Sequence, residues 1–390
     1  MRLYIGESMD DDDRETYIDA TDARSILACG KRGTGKSYTL GDIVEEIHTE
    51  TDDVIPLVVD PMGIYWTMAE PNDEQRDLLW DWGMSTEGYP VNLLVPGDPQ
   101  SRFDTEVLHE LEGRGIDVNP LLLNPSDMSP DGWCDLFDLN INKPMGITLY
   151  RAVRELNQDG SDAQFNLTDI IEKVEMDGDS NERTREALLN RLEMAKDWDI
   201  FAESYQNIWR TLDKDRINVL DLSVIEPGKY GLRNLVVNVL GKDLFRQRQD
   251  ARRREELELG IDIPKVWMFI DEAHNFVPSG RSSLAKDTLI RWVKEGRQPG
   301  LSMVVASQQP SAIDSNVLSQ CDVILCHKIT TREDIKSLNK LSQDYMGGEL
   351  KTYVQNIDNV GEAVYVDDDE ETVEMVKIRP RKSKHGGGEA

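Results

Sequence analysis

The stretch Gly30-Lys-Arg-Gly-Thr-Gly-Lys-Ser37 fits the phosphate-loop pattern G-x-x-x-x-G-K-[ST] at every fixed position. Its flanks decide what it means. Before it, Ser25-Ile-Leu-Ala-Cys29 is a short apolar run without alternation, the signature of a strand buried on both faces of a parallel sheet. After it, Leu40, Ile43, Val44 and Ile47 recur at i, i+3, i+4, i+7, so the spacing predicts a helix from about Lys36 with one apolar face on that sheet. Strand, loop and helix in this order separate a phosphate site from a plain glycine-rich turn.

Each fixed residue then has a physical task. Gly30, Gly33 and Gly35 let the backbone turn and approach a phosphate that a Cβ would block. The open N-terminus of the helix adds partial positive charge where the phosphates would sit, and Lys36 adds a full one. Ser37 is the expected magnesium ligand, and Lys31, Arg32, Thr34 and Tyr38 complete the wall of the site. ATP and Mg2+ are the expected cofactors.

Working outward, 390 residues with 39% apolar content can bury one large or two ordinary cores. Charge is the unusual quantity: 74 Asp plus Glu against 44 Lys plus Arg gives a formal net charge of -30. Such a surface repels nucleic acid at ordinary salt. The acids are scattered along the whole chain and arginine outnumbers lysine, a pattern expected for a salt-rich cytoplasm, where molar salt shortens the Debye length to about 3 Å. Cys29, Cys134, Cys321 and Cys326 show no CxxC spacing and read as buried thiols of a reducing compartment. Cys326-His327 has no second pair nearby, so no metal cluster is assigned. No apolar run has the length of a membrane span, and Met9 followed by four aspartates is unlike a signal peptide, so a soluble, cytoplasmic protein without a membrane partner is expected.

Further along, Pro56-Leu-Val-Val-Asp60 reads as a second buried strand, with Asp60 either capping the turn Pro61-Met-Gly-Ile-Tyr-Trp66 or touching the metal-water shell. Val91-Asn-Leu-Leu-Val95 is a third strand. From 120 to 215 apolar residues recur at helical spacing (Ile147, Tyr150, Val153; Leu167, Ile170, Ile171, Val174; Leu188, Leu189, Leu192), with acidic turns at 158–162 and 176–180, which predicts an inserted helical bundle. Ile217-Asn-Val-Leu-Asp-Leu222 restores the α/β texture, and a long helix is expected from about Leu232 to Leu257. Its Arg246, Arg248, Arg252, Arg253 and Arg254 could contact phosphates or form a salt-bridged helix with the following glutamates.

Val266-Trp-Met-Phe-Ile-Asp-Glu-Ala-His274 is the second deciding stretch, an apolar strand that delivers two carboxylates at its tip. Neighbours on a strand point opposite ways, so Asp271 is expected on the magnesium shell beside Ser37, and Glu272 displaced toward the γ-phosphate as the base that polarises water. Leu301-Ser-Met-Val-Val-Ala306 is another buried strand, ending at Ser307-Gln-Gln-Pro310, where Gln308 can sense the γ-phosphate. Cys321–Cys326 and Gly361–Val366 are two more strands, separated by a helix from Thr331 to Leu341. The resulting division is an N-terminal extension (1–22), a core in two parts (23–119 and 216–366), the helical insert (120–215) and a charged tail (367–390).

These segments, with Lys294-Glu-Gly-Arg-Gln-Pro-Gly-Leu301 and Ile378-Arg-Pro-Arg-Lys-Ser-Lys-His385, occur in an order that resembles the HerA/FtsK branch of RecA-fold motor ATPases, HerA most of all, over roughly residues 23 to 385. The resemblance implies a RecA-like core and a hexameric ring moving along double-stranded DNA through a central pore. It also implies that Arg297 reaches the neighbouring subunit's ATP site, that Gln308 is the polar sensor, and that Arg24 is a candidate for an arginine acting within its own subunit.

HerA carries a small β-barrel ahead of its motor, whereas 29 residues precede Gly30 here. That departure puts the nuclease partnership of HerA in doubt and moves weight toward a viral or plasmid relative that packages or transfers DNA, with a capsid or transfer partner. An ATP-dependent protein remodeller is the reading of another class.

Overall fold

The computed structural model describes residues 1–11, 14–158, 164–228, 231–260, 263–341 and 350–387. Among them twelve strands form one sheet: β1 (Arg2–Ser8), β2 (Glu15–Asp19), β3 (Ser25–Cys29), β4 (Val54–Asp60), β5 (Val91–Pro96), β6 (Ile116–Leu121), β7 (Ile217–Asp221), β8 (Lys265–Ile270), β9 (Leu301–Ser307), β10 (Val323–Cys326), β11 (Glu362–Asp367) and β12 (Thr372–Ile378). Their order is β2-β1-β12-β11-β10-β3-β9-β8-β4-β7-β5-β6. From β10 to β6 neighbours run parallel. From β10 outward through β11, β12, β1 and β2 they are antiparallel. The α/β class with a mainly parallel sheet is therefore the class that the apolar runs predict.

Parallel strands need helical crossovers, and these cover both faces. Strand alternation in β3 shows the division: Ile26 and Ala28 enter one apolar layer with Leu40, Ile43, Val44 and Ile47 of the helix Lys36–Glu50. Leu27 and Cys29 enter the other, with the helix Leu232–Glu256 and the inserted helices. Each fully buried Leu, Ile or Val contributes roughly 1.5–3 kcal/mol relative to exposure, so either layer alone is a substantial core.

The insert forms the helices Pro130–Leu136, Pro144–Gln158, Leu167–Glu175 and Glu182–Lys196. Asn166 and Asp169 close a capping box at the start of the third, and Trp133 stacks on Phe201 with ring centroids 5.3 Å apart. The insert belongs to the same continuous apolar layer as the sheet. Of the two acidic turns, 176–180 joins two helices, and Asp177 and Asp179 pair with Arg151 at 2.6 and 2.8 Å; residues 159–162 of the other lie outside the described residues.

The expected extension and tail need correction. Residues 1–22 supply β1 and β2, and residues 372–378 supply β12, which lies between β1 and β11 in the sheet. These strands alternate charged and apolar residues, so they lack the unbroken apolar run that marks a strand buried on both faces. Beyond β12 the chain does not trail off either, because Arg379, Arg381 and Ser383 are buried against the helix Lys36–Glu50.

Candidate nucleotide-binding site

Because β3, β8, β9 and β4 are parallel, their C-terminal ends lie along one edge of the sheet, and whatever follows them is brought together. The phosphate loop follows β3. It is pinned by Lys31 N–H to Lys328 O (2.9 Å) and by the Thr34 hydroxyl to Lys31 O (2.7 Å). Gly35 has φ of 111°, and a Cβ on Gly30 would stand 2.7 Å from that of His327, so neither position accepts a side chain. The helix begins at Lys36, as its spacing predicts.

Lys36 is buried and its Nζ lies 3.0 Å from Glu272 Oε1, 3.2 Å from Ser37 Oγ and 3.6 Å from Asp271 Oδ1. The loop and the acidic strand tip, more than two hundred residues apart, thus share one ammonium. Alternation along a strand does not explain how both acids reach it. β8 ends at Ile270, and Glu272 takes a left-handed backbone with φ of 49°, which turns its carboxylate to the same side as Asp271. That corrects the expectation of opposite-facing neighbours. The Glu272 N–H donates to Asp271 Oδ1 at 2.8 Å, and Gln308, from the turn after β9, donates its amide to Glu272 Oε1.

Three participants escaped the sequence reading. Tyr65 donates its hydroxyl to Asp271 Oδ2 (3.1 Å) and to Ser37 O (3.2 Å), and burial pushes its pKa well up. His274 places Nδ1 3.1 Å from Ser307 Oγ and 3.4 Å from Glu272 Oε2, with burial lowering its pKa. Behind the loop, His327 is fully buried. Its Nδ1 faces Glu362 O, an acceptor only, so Nδ1 carries the proton and Nε2 accepts from the Thr39 hydroxyl at 2.9 Å. Burial lowers its pKa to about 4. Both ring nitrogens of His327 are thus engaged within the protein. Tyr65 stands within the quoted Pro61–Trp66 segment, so position was legible there and partner was not.

The C-terminal segment covers the other face of the helix Lys36–Glu50. Arg379 lies 3.0 Å from Glu45, 3.2 Å from Glu46 and 3.4 Å from Asp42. Arg381 N–H donates to the Tyr38 hydroxyl at 2.6 Å, and that hydroxyl donates to Gln75 Oε1 at 2.6 Å. Tyr38, expected as a wall of the site, is therefore held under this segment, with the His385 ring 5.6 Å away edge-on. Burial and the neighbouring Arg381 lower the His385 pKa to about 4.

Other predicted residues lie elsewhere. Asp60 is a turn cap: its carboxylate accepts from the N–H groups of Met62, Gly63, Ile64 and Tyr65 at 2.7–3.0 Å, while burial drives its pKa up to about 7. Arg24 stands before β3, a strand length of about 16 Å from the loop that follows it. There it pairs with Asp369 and with Asp322 (3.4 Å), and desolvation would be costly without them. It is an anchor of the far sheet edge, which corrects its placement in its own subunit's ATP site. Arg297 precedes β9 at that same far edge, exposed, with Asp22 at 3.9 Å. Arg246, Arg252 and Arg253 are ion-paired along their helix, which favours the salt-bridged alternative.

A phosphate ligand with magnesium fits this arrangement. Glu272 Oε2 is buried without a hydrogen-bond partner, the ammonium of Lys36 faces two carboxylates and a hydroxyl, and space around Gly33 is open. Ser37 and Asp271 would hold the magnesium beside phosphate oxygens and water, as suits an ion that keeps much of its hydration shell.

Sheet and site define a RecA-like P-loop ATPase fold. The family described as Helicase HerA, central domain, matches residues 3–243, and the chain belongs to this family. It is 22% identical over 399 residues to a probable helicase of Methanocaldococcus jannaschii, an alignment covering 99% of this chain and 68% of that protein. With a probable DNA double-strand break repair helicase HerA of the same organism it shares 24% identity, over 99% of this chain and 78% of the relative. The Sulfolobus acidocaldarius DNA double-strand break repair helicase HerA is 22% identical over 68% of this chain, which spans 56% of that relative. In fold the chain is similar to VirB4 of Thermoanaerobacter pseudethanolicus (TM-score 0.61, 15% identity, 97% of this chain and 96% of that one). It is also similar to the bacterial conjugative coupling protein TrwBΔN70 (0.53, 13%, 95% and 88%). Among the described residues no helix is long and apolar enough to cross a membrane.

Proposed function

We propose that this protein is an ATP-driven motor acting on double-stranded DNA, working as a hexameric ring. The observation that carries the reading is the convergence of Lys36, Ser37, Asp271, Glu272 and Gln308 on one point at the loop, within a HerA family member. Bound Mg-ATP would supply the phosphoryl group to be transferred. Lys36 then turns from the carboxylates to the phosphates, which leaves Glu272 as a base for water and Asp271 for the metal shell. Gln308 reads the state of that base through its amide. Tyr65 holds Asp271 in register, since outer-shell donors orient the groups that face a metal.

The position of Arg297 supports the ring. At the far edge of the sheet it is out of reach of its own loop, yet exposed where an adjacent subunit could present one, and an arginine supplied in trans is commonly worth about 10³ or more in rate. The net charge of -30 supports a salt-rich setting, in which DNA contact survives because repulsion is screened.

ATP hydrolysis measured with and without duplex DNA at about molar potassium chloride tests the reading. Stimulation by duplex is the expected result. Hydrolysis indifferent to DNA under those conditions would move the protein to the remodelling class.

A further inference from the structure

Arg297 sits in the turn Gly296-Arg-Gln-Pro-Gly300, which joins the helix Lys286–Glu295 to β9. Its backbone is tied at each successive carbonyl. Gly296 O accepts from Leu301 N–H (2.8 Å), Arg297 O from Gly300 N–H (3.3 Å), and Gly300 O from Val266 N–H (3.3 Å). The two carbonyls between them accept from side chains of the helix Leu232–Glu256: Pro299 O from Arg248 Nε at 2.8 Å, and Gln298 O from Arg252. Gly300 has φ of 76°, and a Cβ on Gly296 would stand 2.2 Å from Trp292 O, so the turn requires glycine at both positions. The Arg297 side chain, by contrast, is 65% exposed.

Arg248 is an unusual means to this end. It is among the largest fully buried side chains of the protein, and a buried guanidinium is tolerated only when its donors are met. They are met by Pro299 O, by Ile263 O and by Glu255 Oε1 at 3.0 Å. Arg252 completes the brace by pairing with Glu256 at 2.8 Å. The hydrogen-bond partners that the structure shows for both arginines lie in this turn, in the segment after the helix and on the helix itself, and the other buried positions of the helix are mostly Leu, Val, Phe and Ala.

We propose that Arg248 and Arg252 are positioning residues for Arg297: by clamping the two carbonyls that follow it, they fix the direction in which its guanidinium leaves the sheet edge toward the neighbouring subunit. This rests on the reading of Arg297 as acting in trans. A reacting group displaced by about 1 Å can lose on the order of 10²-fold in rate, so a rigid backbone beneath a long side chain has a kinetic consequence.

Arg252→Gln, at a partly exposed position, and Arg248→Met test it, with folding monitored by thermal midpoint. Both are expected to keep the KM for ATP within about twofold, since binding belongs to the other end of the sheet, and to lose roughly tenfold or more in kcat. Mixed with Lys36→Ala, each should regain activity, as Arg297→Ala should, because the Lys36→Ala subunits lend an intact Arg297 turn to neighbours with an intact loop. If Arg248→Met fails to fold, Arg252→Gln carries the test alone. The proposal is overturned if Arg252→Gln keeps the wild-type kcat, or if its mixture stays inactive while the Arg297→Ala mixture recovers. Failure of the Arg297→Ala mixture in proven mixed assemblies would instead overturn the in-trans reading itself.

Discussion

Tyr65 Oη lies 3.1 Å from Asp271 Oδ2, joining the loop after β4 to the tip of β8 directly beneath Ser37. Both groups are almost fully buried, so the bond forms where an unmet carboxylate oxygen would be costly. Tyr65→Phe is expected to lower stability by about 1 kcal/mol. It should also raise the magnesium concentration for half-maximal hydrolysis by roughly tenfold, as loss of an outer-shell donor does. A magnesium titration of the variant checks this, and an unchanged midpoint would free Asp271 from dependence on Tyr65.

Lys36→Ala removes the ammonium that the loop offers to phosphates and should abolish tight ATP binding. Glu272→Gln keeps shape and loses basicity, so it should bind ATP and stall. Nucleotide titration by fluorescence separates the two. Equal affinity in wild type and Lys36→Ala would refute the phosphate-loop assignment, and wild-type turnover by Glu272→Gln would remove that residue as base.

How much of this was readable beforehand depended on distance along the chain. The phosphate loop is a local pattern, and β3, β4, β5 and β7 to β11 are apolar runs that announce burial on both faces. Tyr65, Arg379 and the brace on Arg297 act on partners far away in sequence, where no spacing rule reaches. β12 was illegible for another reason: Glu374 interrupts its apolar residues, yet it is buried because the hydroxyls of Ser8 and Thr16 donate to it and Arg14 pairs with it. The left-handed backbone at Glu272 has no side-chain signature at all.

Arg379 is wholly buried and answers three acids on one helix face. Arg379→Ala strands Asp42 without its cation and leaves Glu45 only Arg381, 3.6 Å away, and breaking such a cluster from one side typically costs about 3–5 kcal/mol. Denaturant unfolding should show that loss. A change below about 1 kcal/mol would mean that the carboxylates simply take up protons.

His327 is neutral in the folded protein, with burial lowering its pKa from 6.5 to about 4. Between those values the unfolded chain binds a proton that the folded chain refuses. The contribution of this site is therefore complete above about pH 6.5 and falls, by on the order of 1 kcal/mol per pH unit, as the pH drops toward 4. His327→Gln should flatten the pH dependence of the thermal midpoint in that window relative to wild type. Parallel curves would deny the imidazole this role.

Salt gives the last test. With a net charge of -30, self-repulsion grows as the Debye length rises from about 3 Å at molar salt to about 10 Å at 0.1 M. The thermal midpoint should climb steadily between 0.1 and about 3 M potassium chloride, and a flat profile would refute adaptation to high salt.

The place of β12 has a bearing on the order of events during synthesis. Within the sheet, β1 hydrogen-bonds to β2 and β12, with Gly6 opposite Ile378, so the first hairpin joins the remaining strands through a segment translated some 370 residues later. At about 5–20 residues per second, the ribosome takes roughly 20 to 75 s to deliver it. Throughout that interval β1 lacks the partner on its inner side, and a two-stranded hairpin alone is at best marginally stable in water. The antiparallel side of the sheet therefore closes only once β12 has been made.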